Sequence, residues 1–208
     1  AMHAREAGAV AVERAPVTVA VVDSGVEDTH PDLEGRVDTQ RSVKCSVNGV
    51  ATQDFYGWRD EFYHGTHVAG PIAAKHDGVG VDGVNPTLRI AAINVASRNG
   101  GFFYPEYIVC GFVWAAEHGI SVTNGSYYVD PWKYWLPNDP EQAAGLEAVR
   151  RGINYAASKD VINVVGAGSG GIDLDNPPSK DSSSPTDAWA PYERDSWSGL
   201  TIPTMMDN

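Results

Sequence analysis

The sequence predicts an α/β fold of three layers, in which a mainly parallel, twisted sheet carries helices on both faces. Two observations predict it. Short apolar runs rich in Val and Ile recur along the chain, each closed by Gly, Asp, Asn or Ser. Between them lie segments whose apolar residues repeat at helical spacing, and strand–helix–strand repetition gives parallel pairing with helices packed on the sheet.

The elements follow in order. Val17 to Val22, Arg89 to Val95, Ile120 to Asn124 and Val161 to Val165 read as buried strands. A first helix starts near His64 and runs toward Ala74; its small residues Gly65, Thr66, Ala69 and Gly70 let its backbone pack closely. A second follows Pro105, places Ile108, Phe112, Ala115 and Ala116 on one face, and stops at Gly119. The third has the strongest start signal: Asp139 caps, Pro140 suits the first helical position, and Gln142 returns a bond as in a capping box. Its stripe is Ala143, Leu146, Val149, Ile153 and Ala157. From Ile172 onward the chain turns polar and Pro-rich, with Pro177-Pro178 and Ser182-Ser183-Ser184-Pro185. The reading is one domain over residues 1–208 with a loop-rich tail from about 172.

Composition narrows the function classes. Apolar residues make up 42% and charged residues 20%, which suits a packed core. A net charge of −12 repels phosphate backbones and argues against nucleic acid. No apolar run reaches the length of a membrane span. Cys45 and Cys110 give neither a disulfide framework nor a metal spacing, and the sequence leaves their pairing open. Ala1 ahead of Met2 reads as an expression remnant. With Met2 as the natural start the expectation is a cytoplasmic protein, otherwise a secreted one.

In open α/β sheets ligands sit beyond the carboxyl ends of the strands, and Asp23, Asn124 and Ser169 all fall at strand ends. Val21-Val22-Asp23-Ser24-Gly25 delivers a carboxylate from a buried strand, Thr29-His30-Pro31-Asp32-Leu33 follows, and His64-Gly65-Thr66-His67-Val68-Ala69-Gly70 opens a helix with an imidazole. A His64/His67 pair without an intervening Glu is a poor zinc site. Together these segments resemble the subtilisin-like serine peptidases, the subtilase family.

The resemblance implies a subtilisin-like fold in which Asp23 orients the imidazole, His64 does the acid–base work and His67 is structural. It implies peptide-binding edges at Gly100-Gly101-Phe102-Phe103 and at Asn124 with Ser126-Tyr127-Tyr128, where an extended peptide adds as a strand. Packing of these aromatics on the Trp132-Lys133-Tyr134-Trp135 loop is the equal alternative. Ser169 stands where the family has an oxyanion-stabilising Asn. The Lys75 to Val81 loop resembles one that often holds calcium; Asp77 with the carbonyls of Val79 and Val81 is the candidate set, although one carboxylate beside Lys75 and His76 favours a plain turn. No other cofactor is expected.

Absent is the nucleophile segment, a Gly-Thr-Ser-Met-Ala helix start, so the C-terminal part of the fold is expected to be missing. Ser24 is expected to point away from the site if the first strand persists through it. Peptide hydrolysis by these residues alone is not expected. The leading expectation is an Asp23–His64 dyad acting as general acid/base on a small molecule, by isomerisation, elimination or cyclisation in secondary metabolism. The alternatives are a pseudoprotease that binds peptides by strand addition, and an N-terminal fragment of a serine endopeptidase completed by another chain. A homodimer or a complementing chain would cover the apolar surface that a truncated fold exposes.

Overall fold

The computed structural model describes residues 17–169 together with 171 and 173. The loop-rich tail expected from 172 falls almost wholly outside these residues, as do Pro177-Pro178 and the Ser182 to Ser184 cluster.

Five parallel strands form one sheet: β1 (Thr18–Asp23), β2 (Val43–Lys44), β3 (Arg89–Asn94), β4 (Val122–Gly125) and β5 (Ile162–Val165), in spatial order β2-β3-β1-β4-β5. β1 is central, with Asp23 opposite Asn94 of β3 on one side and Val22 opposite Gly125 of β4 on the other. Three α-helices connect the strands: α1 (His64–Ala73), α2 (Pro105–Glu117) and α3 (Pro140–Ser158). This is the mainly parallel α/β sheet expected from the sequence, with helices packed on both faces.

Alternation along β1 decides which helix each residue meets. Ala20 and Val22 point to a core shared with Ile108, Phe112 and Ala115 of α2 and Leu146, Val149 and Ile153 of α3. Val19 and Val21 point to the opposite face, where Ala69 and Ala73 of α1 pack with Leu33 and Trp58. Asp23 continues that second set, so a period of two aims its carboxylate at the α1 face. Gly111 lets α2 lie flat on the sheet: a Cβ there would come 3.1 Å from Ile93 and 3.2 Å from Val95.

The helix signals translate with small changes. Asp139 caps α3 by accepting from Glu141 N at 2.9 Å. Gln142 donates to the Asp139 side chain but accepts from Leu136 N at 2.9 Å, so the reciprocal half of the box closes the preceding turn and not the cap itself. The stripe is met at Leu146, Val149 and Ile153, while at the helix ends Gln142 and Ala156 are buried in place of Ala143 and Ala157. α1 holds Pro71 near its end, and the carbonyls of Pro71, Ile72 and the C-cap Ala74 accept from the amides of Val84, Asn85 and Gly83 in the returning loop.

Two features go beyond the sequence reading. The two-residue strand β2 is too short for any periodicity to announce it. Cys45, directly after β2, is disulfide-bonded to Cys110 in α2, both inside the α2/α3 core. Closing a loop of 65 residues restricts the unfolded chain by on the order of 4 kcal/mol in the loop-entropy account. Urea unfolding of the oxidised protein against the Cys45→Ala/Cys110→Ala double variant is therefore expected to show a clear fall in midpoint; coincident curves would remove the bridge from the account.

Candidate active site

Asp23 is the last residue of β1 and is fully buried. Its Oδ1 accepts from Ser24 N at 2.7 Å and lies 2.8 Å from His64 Nδ1, with Oδ2 at 3.0 Å from the same nitrogen. With Asp23 ionised its carboxylate only accepts, so the contact requires the proton on Nδ1 and, in a neutral ring, makes Nε2 the acceptor. His64 opens α1 with its side chain 53% exposed, and among the described residues no hydrogen bond reaches Nε2. One nitrogen is thus anchored in the interior and the other faces solvent.

Local sequence produces this contact. A Cβ on Gly65 would lie 2.1 Å from the Gly25 carbonyl oxygen and 3.1 Å from Asp23 Cβ, so only glycine lets the start of α1 rest on the turn after β1. That turn needs Gly25 as well, at φ +107° with its missing Cβ directed at the Trp58 carbonyl. Within the run from Thr29 to Leu33, Pro31–Leu33 form a 3-10 turn capped by His30, whose Nδ1 accepts from Asp32 N at 3.2 Å, and the turn buries Leu33 beneath α1.

Burial is the main cause that raises the Asp23 pKa above its ordinary 3.8, and the hydrogen bonds from His64 and Ser24 N oppose it. A group whose folded pKa is raised contributes stability below its unfolded pKa and loses that contribution as pH rises through the folded value. Asp23→Asn is accordingly expected to melt higher than wild type at neutral pH, with the difference closing on acidification below the ordinary carboxylate range. A melting-temperature series across pH checks this; a variant that melts lower at neutral pH would contradict it.

The remaining candidates divide. Phe103 and Tyr127 stack on each other at 4.9 Å and pack against the α2/α3 core, together with Trp132. Tyr127 Oη is buried and has no hydrogen-bond partner among the described residues, and burial together with the Asp23 charge raises its pKa. Gly100 and Gly101 take positive φ in a turn closed by Gly101 N to Ser97 O and Phe102 N to Ser97 Oγ, and the Phe62 ring lies against Gly101. Asn124 Nδ2 donates to Ser126 Oγ at 3.1 Å. Ser169 is exposed beyond β5, and among the described residues it makes no hydrogen bond to Asp23 or His64. The ring of His67 is exposed on α1.

In the loop from Lys75 to Val81, Asp77 Oδ1 accepts from Val79 N at 3.1 Å and Oδ2 lies 3.4 Å from Lys75 Nζ, while Asp32 Oδ2 accepts from Val81 N at 3.1 Å.

For Ser24 the condition that the strand persists is not met. The strand ends at Asp23, so Ser24 does not alternate away; its Oγ accepts from Gly65 N at 3.0 Å and donates to Asp60 Oδ1 at 2.8 Å. Asp60 itself was not legible as a site residue. An acidic residue shortly before a helix is a capping signal, but by position the N-cap is Tyr63, whose side chain makes no cap bond.

Comparison with known proteins adds relatives to this geometry. The profile of the subtilase family matches residues 14–202. Fervidolysin of Fervidobacterium pennivorans is 36% identical over 159 residues, which are 74% of this chain and 20% of that protein. Subtilisin E of Bacillus subtilis is 31% identical over 155 residues, 74% of this chain and 35% of that protein. The crystal structure of the nisin leader peptidase NisP from Lactococcus lactis superposes with a TM-score of 0.74 at 20% identity, covering 97% of this chain and 56% of that one, and so speaks to the fold alone. The chain spans well under half the length of these two sequence relatives.

Proposed function

The chain belongs to the subtilase family, and from that membership we propose that Asp23 and His64 are the acid–base half of a serine-peptidase charge relay whose nucleophile comes from polypeptide outside these 208 residues. The observation that carries the reading is the pair itself: a buried carboxylate 2.8 Å from Nδ1 of a ring whose Nε2 is open. In this role Nε2 takes the proton of a serine hydroxyl as it attacks the scissile carbonyl and later gives it to the leaving amine, while Asp23 stabilises the imidazolium formed between these steps. The backbone of 100–103 and 126–128 receives the peptide by strand addition, and the Ser169 hydroxyl is the candidate donor to the oxyanion.

Exposed side chains on β5 leave an apolar face at this end of the sheet on which more polypeptide could pack. Ile162 is 64% and Val164 is 47% exposed, although parallel strands are ordinarily covered on both faces. The Cys45–Cys110 bridge supports an oxidising compartment over the cytoplasm. A second reading is the dyad alone as general base on a small molecule, and the Phe62 ring, which lies against Gly101 two residues ahead of His64, is the apolar group that favours it.

The test joins this chain to a segment of a relative that carries the Gly-Thr-Ser-Met-Ala helix start. Peptide hydrolysis is expected from the joined protein and not from the chain alone. A joined protein that folds but hydrolyses no peptide would remove the relay reading and leave the small-molecule one.

A further inference from the structure

One carboxylate outside the pair contacts every segment that the pair needs. Asp60 Oδ1 accepts from Ser24 Oγ at 2.8 Å and from Phe62 N at 2.9 Å. Its Oδ2 accepts from Thr66 N at 2.8 Å and from Thr66 Oγ1 at 2.6 Å. Ser24 in turn gives its backbone N–H to Asp23 and accepts from Gly65 N, and Thr66 Oγ1 accepts from Glu27 N at 3.0 Å. The loop bearing Asp60 is tied down separately: Asn94 Nδ2 at the end of β3 donates to Arg59 O at 3.2 Å, and Arg59 Nε donates to Asp28 at 2.7 Å.

From this network we propose that Asp60 is a positioning residue which fixes the start of α1 against the end of β1, and so holds the His64 ring on Asp23. The physical reason lies in the helix end. The first amides of a helix lack intrahelical partners and usually receive a side chain from the N-cap. Tyr63 supplies none. Asp60 satisfies the Thr66 amide from outside the helix, and the same carboxylate holds Ser24, the residue next to Asp23. Helix start and strand end therefore share one acceptor group, and neither shifts without breaking a charge-assisted bond. Asp60 touches neither Nε2 nor any reacting atom.

The inference rests on the relay reading only for the importance of the contact; its test reads the contact itself. Long-range proton–nitrogen NMR of His64, recorded where the ring is neutral, reports which nitrogen bears the proton. Wild type is expected to show the Nδ1–H form. Asp60→Ala is expected to lose it in favour of Nε2–H. Asp60→Asn is expected to weaken it less than Asp60→Ala, because its amide oxygen still accepts from Thr66 and its amide nitrogen donates to Ser24, although that nitrogen no longer accepts from Phe62 N. Ser42→Ala removes a buried hydroxyl bonded to Asp38 O and Ala92 N, away from the site, and is expected to lower the melting temperature without changing the His64 signature. If Asp60→Ala does not fold, Thr66→Val reads the same tie and is expected to weaken the Nδ1–H signature.

An Nδ1–H signature unchanged in Asp60→Ala, or unchanged in Thr66→Val where that variant stands in, overturns the inference. So does an equal loss in Ser42→Ala, which would mark the effect as general destabilisation. An Nε2–H ring already present in wild type would instead remove the relay reading, which keeps the two failures distinct.

Discussion

Asp23→Asn is expected to lower turnover of the completed peptidase by about 10⁴-fold, the size found for this substitution in Ser-His-Asp enzymes. The cause is tautomeric. Oδ2 lies 3.0 Å from His64 Nδ1 and Oδ1 already accepts from Ser24 N, so the Asn amide nitrogen takes the Oδ2 place and donates to the ring. Nδ1 becomes an acceptor, the proton moves to Nε2, and the ring loses the lone pair that would accept the serine proton. Folding is not harmed, since burial disfavours the ionised form of this carboxylate. His64→Ala removes the base itself, with a loss of about 10⁶-fold, as measured for a subtilisin. Rates from single-turnover assays of the completed protein check both. Wild-type turnover in either variant would take the chemistry away from this pair.

Gly65→Ala is the second large effect, and it acts through geometry. The added methyl would meet the Gly25 carbonyl oxygen at 2.1 Å, a contact with backbone that no rotamer relieves. Helix α1 must shift outward by roughly 1 Å to restore van der Waals distance, and a displacement of that size costs about 10²-fold in rate. Overpacking adds a stability loss of about 1–3 kcal/mol. Thermal melting together with kcat measurement is expected to show both losses. A Gly65→Ala protein with unchanged melting temperature and rate would mean that helix and strand end do not meet as described.

How much of this was legible depends on whether the cause was local. The end of β1 at Asp23 and the start of α1 at His64 could be read, because an unbroken apolar run closes at the first and a string of small residues follows the second. The span of β5 and the Asp139 cap of α3 were legible for the same reason, but β5, read as a buried strand, leaves Ile162 and Val164 exposed, and the returning bond of Gln142 goes to Leu136 N. The Cys45–Cys110 pairing was not, because it depends on β2 packing beneath α2, and β2 has only two residues. Nor was Asp60, whose partners Ser24 and Thr66 lie 36 and 6 residues away and meet only once Gly25 and Gly65 allow close approach. The direction of Ser24 was left conditional for a related reason: alternation sets a direction only while the strand lasts, and β1 ends one residue earlier. The aromatics of the two edges were left undecided because periodicity cannot separate a rim from a packed stack. The structure stacks Phe103 on Tyr127 against the core and leaves the Phe62 ring against Gly101 beside the helix start.

The most direct measurement is fluorophosphonate labelling followed by mass mapping of the adduct. The chain alone is expected to remain unlabelled, including at Ser24, Ser126 and Ser169. Joined to the nucleophile segment of a relative, it is expected to carry one adduct, on that segment's serine, and to lose it in the His64→Ala variant. An adduct on any serine within the 208 residues, or labelling of the joined protein that persists without His64, would contradict an acid–base pair whose nucleophile comes from elsewhere.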